Sequence, residues 1–89
     1  MIRSEITIIN KLGLHARAAS KLVNLTSQFS SSVFIDKKGN RVNAKSIMGV
    51  MMLAASQGTE LLLEVDGEDE QACSDAIIGL INNRFDESE

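Results

Sequence analysis

In residues 5–10, "EITIIN", Ile6 and Ile8 stand two apart with Thr7 between them. That period of two marks a strand with one buried face. "NKLG" then reads as loop, and the period changes at Ala16. Ala19, Leu22, Val23 and Thr26 fall at i, i+3, i+4 and i+7, with Lys21, Asn24 and Gln28 on the other side. This predicts a helix from Ala16 to about Phe29, closed by "SSS". In "SVFIDKKGNRVNA", Val33 and Ile35 flank Phe34, the polar "DKKGN" turns, and Val42 continues on a return strand, which is a hairpin pattern. "KSIMGVMMLAASQG" predicts a second helix with Ser46 as N-cap and Gly58 as terminator. "TELLLEVDG" alternates Leu61, Leu63 and Val65 on one face. "EDEQACSDAIIGLINNRF" is a last helix opened by acids, with Ala72, Ala76, Ile77, Leu80 and Ile81 as its apolar stripe and Cys73 packed inside.

The order is βαββαβα. Hairpins and returning helices predict an α+β fold: a four-stranded antiparallel sheet with three helices on one face, in a single domain spanning residues 1–89. Aliphatic side chains must fill its core, because the chain has three Phe and neither Trp nor Tyr.

Charge and composition remove several function classes. Nine basic residues face twelve acidic ones, which argues against nucleic acid as a partner. No apolar run approaches the roughly 20 residues that cross a bilayer, so membrane insertion is not expected. The opening residues lack the marks of a signal peptide, and a cytoplasmic protein is expected. Cys73 stands alone, so an internal disulfide is excluded. With one histidine and one remote cysteine, so is a His/Cys metal site. No cofactor is called for.

The informative stretch is "KLGLHARAAS", residues 11–20, which holds the only histidine. A helix beginning near Ala16 leaves its first N–H groups, those of Ala16 and Arg17 among them, without intrahelical acceptors. With the helix dipole they form an anion site. His15 sits at its edge, at the N-cap position and at the surface. Arg17 adds a fork of donors suited to phosphate oxygens, and Gly13 lets the preceding loop turn tightly. An imidazole is nucleophilic when neutral, a form that the positive end of a helix favours. The set suits an imidazole that takes a phosphoryl group and holds it on helix amides. A histidine that merely caps or packs is the competing reading.

"NKLGLHARAA" resembles the active-site segment of the HPr phosphocarriers of the phosphoenolpyruvate-dependent phosphotransferase system. "KSIMGVMMLAASQGTELLLEVDGEDEQA" resembles that family's second motif and its continuation. The likeness runs from about Glu5 to Phe85. The closing "LINNRFDE" and the "KLGLHARAA" start are most similar to the nitrogen-related branch, NPr. The resemblance implies an HPr-like open-faced β-sandwich, a phosphohistidine at Nδ1 of His15, and Arg17 as its stabiliser. It implies an enzyme I-type donor, a IIA-type acceptor, and a monomer working as a stoichiometric carrier. A general sugar-transport HPr and a non-catalytic regulatory module of the same fold are the alternatives. Many family members have Pro where this chain has Ala18. Pro pre-sets φ in a first helical turn, while Ala keeps high helix propensity, so a softer helix start without loss of function is expected.

Ser46 is expected to cap its helix, a contribution of about 1 kcal/mol. In part of the resembling family this serine is the target of a regulatory kinase, and phosphate at a helix start is compatible with the fold. The second helix is apolar nearly all round. Val50, Leu53 and Ala54 are expected to pack on the sheet. Ile47, Met48 and Met51 are expected to form an adaptable docking surface framed by Lys21 and Lys45. The C-terminal "NNRFDESE" is expected to continue past the core.

Overall fold

The computed structural model describes residues 1–89. Strands β1 (Ile2–Thr7), β2 (Ser32–Lys37), β3 (Asn40–Asn43) and β4 (Glu60–Asp66) form one sheet in the order β1-β4-β2-β3, with every pair antiparallel. Helices α1 (Ala16–Thr26), α2 (Ile47–Met52) and α3 (Glu70–Asn82) cover one face. The alternation is kept throughout the strands. Ile6, Val33, Ile35, Leu61, Leu63 and Val65 point into the core, where they meet Ala18, Ala19 and Leu22 of α1, Val50 of α2, and Cys73, Ile77 and Ile81 of α3. On the open face Glu64 is clamped by Arg3 Nε at 3.1 Å and Arg41 Nε at 3.0 Å, and Arg41 lies 3.8 Å from the Phe34 ring centroid. These cations, Arg41 foremost, hold the Glu64 carboxyl below its ordinary range against the opposing effect of burial.

The β2–β3 connection is a two-residue turn in which Lys38 (φ +50°) and Gly39 (φ +89°) are both left-handed. That is the turn whose twist matches antiparallel strands.

Three boundaries and one buried stripe differ from the sequence reading. Strand β1 begins at Ile2 and ends at Thr7, although Ile8 stays tied to the sheet end through Thr59 and Gly58. Helix α1 stops at Thr26 rather than Phe29, because the Thr26 hydroxyl donates to the Val23 and Ala44 carbonyls and the chain tightens into i→i−3 bonds. Helix α2 stops at Met52. Ala54 turns left-handed (φ +51°) and is exposed, so Ala55 and Leu53 take the buried places expected of Leu53 and Ala54. Gly58 therefore belongs to the turn into β4. In α3 the buried stripe is Cys73, Ser74, Ile77 and Ile81; Ala72 is exposed, and Ala76 and Leu80 are half-buried.

Candidate functional site

The loop between β1 and α1 is set by two close approaches. Asn10 is fully buried and its Nδ2 donates to the Gly13 carbonyl at 2.8 Å, while Gly13 N returns a bond to the Asn10 carbonyl at 3.2 Å. Leu14 N then donates to the Ala55 carbonyl at 2.8 Å. Gly13 has φ +69°, and a Cβ there would stand 2.4 Å from that same carbonyl oxygen. Only glycine fits both demands. Buried Leu14 pins the far side of the turn, and the chain enters α1 with His15 as the N-cap (φ −74°, ψ 178°).

The His15 imidazole makes no capping bond. Capping as its role is therefore excluded. Its side chain is 27% exposed rather than fully at the surface, because Nε2 is engaged by the Glu87 carboxylate. The second Glu87 oxygen accepts from Asn10 Nδ2 at 2.9 Å. The Asn10 bond, the His15 bond and charge, and the charge of Arg17 together lower the Glu87 pKa, against the opposing effect of burial.

This carboxylate is the partner of His15 that sequence reasoning missed. The tail after α3 does not run on past the core. Phe85 is wholly buried and Arg84, Phe85 and Asp86 are all left-handed (φ +56°, +53° and +63°). The left-handed region costs about 1–2 kcal/mol per non-glycine residue, so something must hold the turn. Phe85 burial, the Lys21 ammonium on the Phe85 carbonyl at 2.8 Å, and Lys11 N on the Glu89 carbonyl at 3.0 Å do so. The only legible signal is an aromatic residue in a polar tail.

Arg17 is exposed on the first turn of α1 and takes part in none of the ion pairs of the molecule. Its fork is free beside the unpaired first-turn N–H groups of Ala16 and Arg17. Lys11, Arg17 and Lys21 line one cleft together with Asp86, Glu87 and Glu89. Arg17 thus stands two residues beyond His15 on the first turn of α1, in a cleft of mixed charge bordered by acidic tail residues.

Ser46 lies apart from that cleft, as the N-cap of α2, with its Oγ accepting from Gly49 N at 3.1 Å. Ile47, Met48 and Met51 are exposed on α2. Met52 and Leu12, at 72% and 66%, are more exposed than Ile47 and Met51, and the sequence pattern does not single them out. Lys45 Nζ donates to the Phe29 carbonyl at 2.8 Å and Lys21 to the tail, so both amines are committed to intramolecular bonds. No helix is long and apolar enough to cross a membrane.

The family described as the PTS HPr component phosphorylation site matches residues 2–83. The chain belongs to the HPr phosphocarrier family. It is 56% identical over 89 residues to the phosphocarrier protein HPr of Cupriavidus necator, covering 100% of both chains. The crystal structure of HPr-C-His from Thermoanaerobacter tengcongensis matches with a TM-score of 0.96 at 44% identity, again over 100% of each chain. Crh of Bacillus subtilis, a catabolite repression protein solved as a swapped dimer, matches with a TM-score of 0.76 at 42% identity, covering 94% of this chain and 97% of Crh. The expected three helices on a four-stranded antiparallel open sheet are those of HPr structures, and the chain is an HPr phosphocarrier of the phosphotransferase system.

Proposed function

We propose that the protein accepts a phosphoryl group on Nδ1 of His15 from an enzyme I-type kinase and passes it to a IIA-type protein, as a cytoplasmic monomer. Arg17 and the amides of Ala16 and Arg17 hold the transferred group. The observation that carries this reading is His15 itself. It occupies an N-cap without capping, beside an unpaired guanidinium, with only Nε2 bonded. The exposed apolar strip Ile47, Met48 and Met51 serves as the docking surface, with the aliphatic stems of Lys21 and Lys45 at its margin. Ser46, exposed at the edge of that strip, is the point at which a serine kinase would add charge to it.

Within the system we assign the nitrogen-related regulatory branch. The support is the likeness of the closing "LINNRFDE", together with the position of that segment against His15, where it borders any docked partner. The alternative reading is a general sugar-transport HPr, and the Cupriavidus necator relative is named a phosphocarrier protein HPr with no branch given. One experiment separates the two. The protein is incubated with phosphoenolpyruvate and a nitrogen-type or a sugar-type enzyme I, and intact mass and kcat/KM are measured with each. An acid-labile, base-stable adduct is expected, absent in His15→Ala, with higher kcat/KM for the nitrogen-type donor. Preference for the sugar-type donor moves the protein to the transport branch. An adduct on His15→Ala overturns the site, since the chain has no other histidine.

A further inference from the structure

The Glu87 contact points to a role that neither phosphate binding nor core packing requires. An ionised carboxylate can only accept hydrogen bonds. The nitrogen facing it, Nε2, must therefore carry the hydrogen. A neutral ring with hydrogen on Nε2 has its lone pair on Nδ1, and Nδ1 takes part in no hydrogen bond within the molecule. The carboxylate is itself held. Asn10, buried and anchored to the Gly13 carbonyl, grips its other oxygen at 2.9 Å. The left-handed turn at Arg84–Asp86 is unfavourable alone, and it is what carries Glu87 back to the histidine. Strained backbone of this kind concentrates at functional sites.

We propose that Glu87 is a positioning residue that keeps His15 in the Nε2–H tautomer, so that Nδ1 is presented as the nucleophile, with Asn10 fixing the carboxylate. The inference rests on His15 as the phosphoryl acceptor. In the transfer step the Nδ1 lone pair forms the new N–P bond. The bond from phosphorus to the donor atom that carried it breaks, and its electron pair leaves with the donor. The Nε2 hydrogen does not leave. The positive charge that develops on the ring is shared across both nitrogens and offset by the Glu87 carboxylate. Onward transfer runs the same steps backwards, returning the pair to Nδ1. The arrangement is that of a carboxylate orienting a histidine through its second nitrogen, as in metal sites and catalytic triads.

The test uses the single histidine as its own probe. Ring ¹⁵N shifts of His15 are recorded in the unphosphorylated wild-type protein, in Glu87→Gln and in Glu87→Ala, under conditions where the ring is neutral. The wild-type protein is expected to show the Nε2–H form alone. Glu87→Ala should populate Nδ1–H measurably and lower kcat/KM for phosphoryl acceptance roughly ten-fold, the lower end of what losing an orienting partner costs. Glu87→Gln, whose amide oxygen can still accept without the charge, should fall between. Unchanged tautomer populations in Glu87→Ala overturn the proposal, and a slower rate with an unmoved tautomer does so equally. If Glu87→Ala does not fold, the same comparison is read from Glu87→Gln. The tautomer measurement needs no donor, so it decides this inference even where the wild-type protein accepts phosphate from neither kinase and the functional reading fails.

Discussion

Arg17 is charged, exposed and uncommitted, while the neighbouring cations Lys11 and Lys21 each have an acidic partner in the tail. A planar fork can meet two phosphoryl oxygens at once, whereas an ammonium meets them as a point charge. Arg17→Ala should therefore lower kcat/KM for phosphoryl acceptance at least roughly ten-fold, equivalent to about 1.4 kcal/mol of transition-state stabilisation. Stability should stay within about 0.5 kcal/mol, as for other surface substitutions. Arg17→Lys should recover part of the rate. Rates equal to wild type in Arg17→Ala would assign the phosphate to the helix amides alone. One position along, Ala18 is fully buried, so the residue that replaces the family's common Pro also serves as core.

The helix start depends on the loop that feeds it. Gly13 combines a left-handed backbone with a carbonyl oxygen where its Cβ would be, and that oxygen is also the acceptor for Leu14 N. Gly13→Ala should therefore displace the chain at Ala55 or break the Leu14 bond, at a cost of about 2–4 kcal/mol. Urea unfolding measures it, and a loss below about 1 kcal/mol would show that the loop yields freely. Much of the architecture is legible at this scale. Strand faces follow a period of two, and Val33, Ile35, Leu61, Leu63 and Val65 all lie where the alternation puts them. His15 and Arg17 are legible because a helix start and its donors are local in sequence. The end of α2 is not, because Leu53 and Ala54 are good helix formers and what stops them is the docking of Ala55 against the Gly13–Leu14 loop. The α3 stripe differs from its pattern because alanine carries little apolar signal, and Cys73 and Ser74 are the residues turned inward.

Contacts distant along the chain hold the molecule together as a whole, and acid should reveal them. Asp69 is the N-cap of α3 without capping it. Its carboxylate accepts from the Ser31 hydroxyl, from Ser30 N at 2.9 Å and from Ser31 N at 3.0 Å, joining the loop after α1 to the start of α3. Those bonds, the Ser31 hydroxyl foremost, bring its pKa down to about 2. Glu64, Glu70 and Glu87 are shifted in the same direction. A carboxyl depressed by folding contributes stability above its unfolded pKa, about 3.9 for Asp and 4.3 for Glu, and loses it as pH falls through the folded value. Tm should thus hold down to about pH 4 and fall between about pH 4 and 2. Asp69→Asn should have a lower Tm at neutral pH and a shallower acid slope. Parallel Tm–pH curves for the two proteins would remove Asp69 as a source of the slope. The same long range explains why Glu87 escapes sequence reading: 72 positions separate it from His15, and no periodicity reports a contact of that span.

Strand β1 lies at the rim of the sheet, zipped to β4 and to no other strand. It continues without a break through Ile8 into Asn10 and Gly13. Peeling it away opens one ladder instead of two, and it takes from α3 one of the two strands that helix packs on. Such peeling withdraws Ile6 and Ile8 from the core and then pulls on Asn10, and with it the grip on Glu87 and the ring of His15. The rim is therefore a lever. A pull on the first few residues is carried through two core side chains, Ile6 and Ile8, to the loop that holds the imidazole, so the edge strand, the core and the site are strung on one stretch of chain.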